Sequence, residues 1–277
     1  MEKLLMLFLS LALLQPCTAQ TKMLDCNSKR VQDSLMDKYL EKGAYQYGAN
    51  SLKRQLYYDS LIAICPNIAQ VYRERAIPYV KSGNYGRAFA LEDKAVELDP
   101  KSWLDYRAFL KCIFTKDYEG AIIDFDEAEK LAPDNFVMDH SYWFYKGLCY
   151  LELKQYEASK KCLLRDVWLQ TKDDTTQRKA HYNSYLYLGI LHLEMKQFAQ
   201  AELYLKKTLQ QFSKLPDANF YLAMTYKAVN NQEYRKFLGA AHAAVMSGFK
   251  QNEDNEFYAY YPYQITLFEI EEELSKE

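Results

Sequence analysis

The chain has 277 residues, of which 49% are hydrophobic and 26% are charged, as in an ordinary folded protein. Its 9 glycines and 7 prolines are too few for a disordered chain or a loop-rich all-β fold. The 35 basic and 37 acidic residues are interspersed and leave a net charge of −2. This balance provides no basic patch for nucleic acid or for an anionic membrane, so we expect no nucleic-acid partner.

Residues 1–19 have the pattern of a secretory signal peptide. Lys3 is followed by an apolar run over residues 4–14 that only Ser10 interrupts, and the small residues Thr18 and Ala19 precede Gln20. The run is too short to span a bilayer, and no later stretch is apolar enough to do so. Lipidation at Cys17 is the alternative, which Pro16 disfavours. We therefore predict an exported protein, periplasmic or secreted, without a membrane span.

Residues 20–66 are predicted to form a degenerate N-terminal helical hairpin. Cys26 lies just before its first helix and Cys65 at the end of its second, so antiparallel packing would bring the two cysteines together. A disulfide in an oxidising compartment and two unpaired thiols are both compatible with this placement. The remaining cysteines stand among apolar residues at helical spacing and are predicted to be small core residues: Cys112, Cys149 and Cys162.

A helical repeat extends over residues 67–250. In residues 69–100, aromatic and small residues recur every three to four positions, a turn forms at Asn84, and Pro100 ends the second helix. The aromatic residue after each turn then returns at intervals of 33, 38, 42 and 36 residues. It is Tyr85, Tyr118, Tyr156, Phe198 and Tyr234 in the five copies. Most of the 25 tyrosines fall on repeat positions, which favours packing over a sticky surface as their purpose.

The recurring motifs resemble those of the tetratricopeptide repeat family. Trp143, Gly147 and Tyr150 carry the family pattern in one first helix, and Leu188-Gly189 carries it in another. The resemblance implies an all-α fold, a right-handed superhelical solenoid of about five to six helical hairpins. The signal sequence also resembles those of exported repeat proteins from the Bacteroidetes.

Residues 251–277 are predicted to be an aromatic segment followed by a capping helix. Aromatic residues crowd residues 257–263, and an amphipathic helix follows. A solenoid needs a terminal cap over its last apolar face. The alternative is that this segment occupies the groove of the solenoid or binds a partner.

Catalytic signatures are not found. The four histidines form no zinc-binding motif and no pair with a nucleophile, and no phosphate loop or dinucleotide fingerprint occurs. The acidic run from Asp124 to Glu129 is interrupted by Phe125 and Ala128, as on the wet side of an amphipathic helix. We therefore predict no enzyme activity, no cofactor and no metal site.

In the resembled family, first helices line a concave groove that binds a protein or peptide partner. The equivalent positions here are mostly apolar or aromatic, and Arg73 and Arg107 are predicted to select acidic groups. A polar clamp for a peptide carboxylate is not reproduced. The candidate groove residues are Arg73, Ile77, Lys81, Trp103, Tyr106, Arg107, Leu110, Phe114, Phe144, Leu148, Leu186, Ile190, Asn219 and Tyr226.

The resulting functional prediction is an exported adaptor or scaffold that binds a protein or peptide through this groove. One alternative is a structural subunit of an envelope assembly whose groove is self-occupied. A further alternative, an unrecognised envelope hydrolase, would need a compact polar pocket with convergent titratable groups.

Overall fold

The computed structural model describes residues 24–172, 179–251 and 259–276. The predicted signal peptide and the aromatic residues 257 and 258 lie outside these ranges. Within them the chain forms thirteen α-helices. These are α1 Lys29–Met36, α2 Leu52–Ile64, α3 Ala69–Lys81, α4 Tyr85–Leu98, α5 Pro100–Leu110, α6 Tyr118–Leu131, α7 Tyr142–Glu152, α8 Tyr156–Thr171, α9 Tyr182–Glu194, α10 Phe198–Gln211, α11 Pro216–Ala228, α12 Tyr234–Met246 and α13 Leu267–Leu274.

Ten of these helices form five successive antiparallel hairpins, from α3/α4 to α11/α12. Side chains at the helix starts satisfy the first free amides: Asn84 accepts from Arg87 N–H, Asp117 from Gly120 N–H and Ser141 from Phe144 N–H. Pro100 and Pro216 occupy first-turn positions, where a missing N–H costs nothing. The second helix of each hairpin also packs on the first helix of the next, so the predicted all-α superhelical repeat fold is confirmed.

Alanines allow the two helices of a hairpin to approach each other closely. Ala76, Ala88, Ala121 and Ala201 are completely buried where first and second helices meet. One continuous core then runs through the solenoid from Val80 to Tyr226.

The N-terminal part has its own core, and its helices are less regular. After α1 the chain continues as a π-helical segment, Asp37–Glu41, and a short 3₁₀ turn, Ala44–Gln46, before α2 begins. Leu40, Tyr58 and Leu61 fill this core. A disulfide joins Cys26 to Cys65 with Cα atoms 5.6 Å apart, while Cys112, Cys149 and Cys162 are free and buried.

Two irregularities shape the middle of the array. Helix α5 continues as a π-helical segment, Lys111–Thr115, which ends at Lys116 in the left-handed region with φ of 58°. Before α7, two-residue strands β1 Phe136–Val137 and β2 His140–Ser141 pair antiparallel, with Val137 opposite His140. Both features place side chains on the surface formed by the first helices α3, α5, α7, α9 and α11, hereafter the inner face.

The C-terminal residues cover the last repeat and also lie across the inner face. Helix α13 starts with a capping box between Thr266 and Glu269, and it buries Ile270 against α11 and α12. Residues 259–265, hereafter the tail segment, lie across the inner face near α7, α9 and α11. In the described ranges, no helix combines the length and the apolar character needed to cross a membrane.

Candidate functional site

The tail segment divides the inner face into an occupied part and an open part. In the occupied part, the hydroxyl of Tyr187 on α9 donates to the carbonyl of Pro262 at 2.7 Å. The hydroxyl of Tyr221 on α11 donates to the carbonyl of Tyr263 at 2.6 Å. Asp217 on α11 accepts from the Ile265 amide at 2.9 Å. The groove at α9 and α11 is therefore filled by the chain itself.

The open part is a cavity of about 510 Å³ beside the tail segment. Its remaining walls come from α3, α5 with its π-helical end, the β1–β2 loop and the start of α9. One wall is apolar and aromatic, formed by Ile77, Val80, Tyr106, Phe109, Ile113 and Phe114. The opposite wall carries polar side chains, including Asp139, His140, His181 and Asn183. Such a combination of an apolar surface with a few polar groups is typical of ligand sites.

The buried histidine of the polar wall, His140, carries no positive charge in the cavity. His140 is only 4% exposed, and its ring stacks on Phe144 with centroids 3.9 Å apart. Burial, and then the neighbouring His181, lower the pKa of His140 to about 3, so its ring is neutral at physiological pH. His140 Nδ1 and Asn183 Oδ1 are buried without a hydrogen-bond partner among the described residues. A bound ligand with amide groups would satisfy such atoms.

The two arginines of the inner face pair with carboxylates of the chain itself, and their selection of acidic groups in a partner stays a prediction. Arg73 contacts Glu74 at 2.7 Å and lies over the ring of Tyr106 at 4.5 Å. Arg107 makes two bonds of 2.8 Å to the Asp124 carboxylate and a further one of 2.7 Å to Asp93. A carboxylate on α3 itself pairs with Arg73, and carboxylates of the second helices α4 and α6 pair with Arg107.

The fourteen candidate groove residues separate into three groups. Four line the open cavity: Ile77, Lys81, Tyr106 and Phe114. Three others are the paired Arg73 and Arg107 together with Trp103, over whose ring Arg73 lies at 5.7 Å. The remaining seven are at most 6% exposed and do not line the open cavity: Leu110, Phe144, Leu148, Leu186, Ile190, Asn219 and Tyr226.

The misplaced residues in α7 and α9 result from an error of one position in register. The core contains Phe144, Leu148, Leu186 and Ile190. The adjacent Tyr145 and Tyr187 belong to the same core and also meet the tail segment. Burial, and next the neighbouring Tyr261, raise the pKa of Tyr145 well above its usual range. Successive residues are about 100° apart around a helix, so a shift of one position is enough to move a side chain from the groove side of the helix to the core side.

Asn219 and Tyr226 were predicted in the groove but serve the solenoid itself. The Asn219 amide donates to the carbonyls of Ser213 and Leu215 and holds the start of α11. The Tyr226 hydroxyl donates to Glu202 on α10 at 2.9 Å. Their polar groups are therefore engaged within the chain.

Three functional positions escaped sequence reasoning: Tyr145, Tyr187 and Tyr221. They stand at one position of successive repeats, each two residues before a small residue, namely Gly147, Gly189 and Ala223. Their spacings of 42 and 34 residues lie close to the corresponding repeat intervals of 42 and 36 and would have identified them as a set. Among the described residues, no group of three or more metal-binding side chains is arranged to hold an ion.

Comparisons with known proteins agree with this architecture. The tetratricopeptide repeat family model matches residues 140–165, which include α7 and the start of α8. The type IV pilus assembly protein PilF of Pseudomonas aeruginosa is 30% identical over 162 residues, covering 56% of this chain and 59% of PilF. The chain spans between 18% and 59% of the length of the curated relatives that match it.

Two crystal structures share the fold. PilW, described as a widely conserved type IV pilus biogenesis factor, matches with a TM-score of 0.62 and 16% identity over 82% of this chain and 97% of PilW. YrrB, described as a TPR protein with an unusual peptide-binding site, matches with a TM-score of 0.51 and 18% identity over 71% of this chain and 93% of YrrB. The in-phase hairpins, the family match over residues 140–165 and these structures agree on one architecture, an all-α superhelical fold built from tetratricopeptide-type repeats.

Proposed function

We propose that the protein is a scaffold that binds an extended peptide segment of a protein partner in the open cavity of its inner face. The observation that carries this proposal is the cavity of about 510 Å³ between α3, α5 and the tail segment. Its apolar wall suits a bulky side chain, and the buried atoms His140 Nδ1 and Asn183 Oδ1 suit a peptide amide.

The charged side chains that line the cavity, Lys81 and Asp139, have opposite signs, and the two arginines of the inner face are already paired, which favours an uncharged segment over an acidic one. Arg73 and Arg107 are engaged by Glu74, Asp93 and Asp124. His140 is neutral because it is buried. Affinity would then come from desolvating aromatic and aliphatic anchors, as at most interface hot spots.

A second candidate is a structural subunit whose groove is self-occupied, which the contacts of the tail segment with α9 and α11 favour. The likeness to PilF, a pilus assembly protein, fits a role in a larger assembly. The signal-like residues 1–19 and the Cys26–Cys65 disulfide support an exported, periplasmic or secreted location.

Site-specific photo-crosslinking in cells distinguishes the two candidates. A photoreactive phenylalanine analogue at Phe114 should capture a partner, whereas the same group at Leu203, 47% exposed on α10, should not. Ile77→Glu, on the apolar wall, should abolish capture from position 114. The matched control Ile123→Glu, at a 62% exposed site on α6, should leave it unchanged.

Equal capture at positions 114 and 203, or capture that survives Ile77→Glu, would count against the cavity as the binding site. Capture only at position 203 would favour the structural subunit.

A further inference from the structure

The tail segment is held on the inner face through its main chain. Tyr187 and Tyr221 donate to the carbonyls of Pro262 and Tyr263, and Asp217 accepts from the Ile265 amide. The Lys116 ammonium group donates to the carbonyl of Tyr260. Because carbonyls and amides are common to all residues, these bonds recognise a backbone shape rather than a particular set of side chains.

That shape is a tight turn centred on Pro262 and Tyr263. The Gln264 amide donates to the Tyr261 carbonyl at 3.1 Å and closes the turn. Proline is favoured at the second position, since its φ is preset, and Tyr263 has the positive φ of 57° that a type II turn needs at the third. The carbonyls of these two central residues are the ones that Tyr187 and Tyr221 bind.

The receptor for this turn is built from the repeat itself. Tyr145, Tyr187 and Tyr221 stand at one position of successive first helices and meet three successive residues of the tail segment. Gln251 donates to the Tyr187 hydroxyl at 2.9 Å and orients it. The Tyr187 hydroxyl therefore has a fixed partner besides the turn.

The terminal cap is anchored separately from the turn. Ile265 and Ile270 are buried against Ala223, Leu238 and Ala241, and Lys227 pairs with Glu273 of α13. Residues 260–264 contribute hydrogen bonds to the groove, whereas α13 contributes the apolar cover of the last repeat. Release of the turn would therefore leave that cover in place.

We propose that Tyr145, Tyr187 and Tyr221 form a binding site for a proline turn, that residues 260–264 occupy it as an intramolecular ligand, and that a partner segment with the same proline turn binds there by displacing them. This inference rests on the proposed function, because it names the chemistry of the partner. The turn site is continuous with the cavity, since Ala259 and Tyr261 form part of the cavity wall. A partner seated in the cavity would run directly into the turn site.

Fluorescence anisotropy with the full chain tests the proposal. The probe is a labelled peptide with the sequence of residues 259–266, AYYPYQIT. A tethered segment competes at an effective concentration near millimolar, so the wild-type chain should bind the probe weakly. The chain carrying Tyr261→Ala and Pro262→Ala should bind it at least about tenfold more tightly, because its own turn competes less.

Two controls define the site. Adding Tyr187→Phe and Tyr221→Phe to the weakened-tail chain should return binding to the wild-type level or below. A probe in which alanine replaces the proline should bind the weakened-tail chain several-fold less tightly than the original probe. A folded weakened-tail chain that binds no better than wild type, or binding that is indifferent to the two tyrosines, would overturn the proposal.

A second measurement needs no variant. In the wild-type chain, amide hydrogen exchange at Tyr261 and Gln264 should accelerate at saturating probe, while exchange in α13 stays unchanged. Unchanged exchange at Tyr261 and Gln264 under saturation would also overturn the proposal. If only this inference fails, the photoreactive group at position 114 still captures a partner. If the proposed function fails, that capture is lost, and the anisotropy result with the probe stands independently of it.

Discussion

Gly189 on α9 packs directly against Leu205 on α10, where an added methyl group would lie 2.6 Å from the leucine Cγ. Gly147 has the same relationship to Leu163 one repeat earlier, with 2.7 Å to the leucine side chain. The Leu-Gly motif of the repeat is thus a requirement of hairpin packing, because only glycine lets these two helices approach so closely.

Gly189→Ala should therefore destabilise the protein by about 1–3 kcal/mol, the usual cost of overpacking a core. The matched control is Gly239→Ala in α12, where a methyl group would meet nothing within 4 Å. This control should be neutral or stabilising by up to about 1 kcal/mol, since alanine is the better helix former. Urea unfolding followed by circular dichroism measures both, and equal effects at the two glycines would contradict the packing argument.

Tyr187→Phe should cost about 1–3 kcal/mol, because it leaves the buried Pro262 carbonyl without a donor. In a chain of this size the melting temperature should fall by roughly 2–4 °C for each kcal/mol. Tyr150→Phe on α7 is the control, since the Tyr150 hydroxyl donates to no carbonyl of the described tail segment. A similar loss in both variants would mean that the tail contact does not stabilise the fold.

Stability should fall as the pH rises from about 4 to about 7, in part because of Asp217. This carboxyl is 1% exposed, and burial raises its pKa to about 7 from an ordinary value of 3.8. The folded state therefore keeps a proton that the unfolded chain loses. This stabilisation is fully present below the pKa that Asp217 has in the unfolded chain. It is lost as the pH rises through the pKa that Asp217 has in the folded protein.

Asp217→Asn should remove this part of the pH dependence, since the amide oxygen still accepts from the Ile265 amide. Relative to wild type, the variant should gain stability on the order of 3 kcal/mol between pH 4 and pH 8. Burial also raises the pKa of Glu92, to about 8. Its contribution to the pH dependence is the same in wild type and variant and therefore cancels in the comparison. Parallel unfolding free energies across that pH range would show that Asp217 ionises freely.

Reducing the Cys26–Cys65 disulfide should destabilise the N-terminal core by roughly 3–4 kcal/mol, the value expected for a loop of this length. Unfolding of the purified chain with and without a reductant measures the effect. The double variant Cys26→Ser, Cys65→Ser should start at the lower stability and show no response to the reductant. A response of the same size in that variant would assign the effect to some other group.

The inner face shows where sequence reasoning was accurate and where it failed. Ile77, Lys81, Tyr106 and Phe114 line the cavity, and the repeat pattern in α3 and α5 distinguishes such positions from the packing positions beside them. In α7 and α9 nearly every residue is apolar or aromatic. The pattern there cannot tell Leu186, which is in the core, from Tyr187, which holds the tail segment.

The sequence by itself determined the repeat and the positions of the small residues. These depend on neighbours three or four places apart and on helix-end chemistry, both of which are visible in a linear pattern. Only the tertiary structure decided that Tyr187 meets Pro262, 75 residues away, and that Arg107 is neutralised by Asp93 and Asp124. The first contact joins a hydroxyl to a main-chain carbonyl far along the chain, and the second pairs charges on separate helices. Neither kind of contact produces a periodic pattern in the sequence.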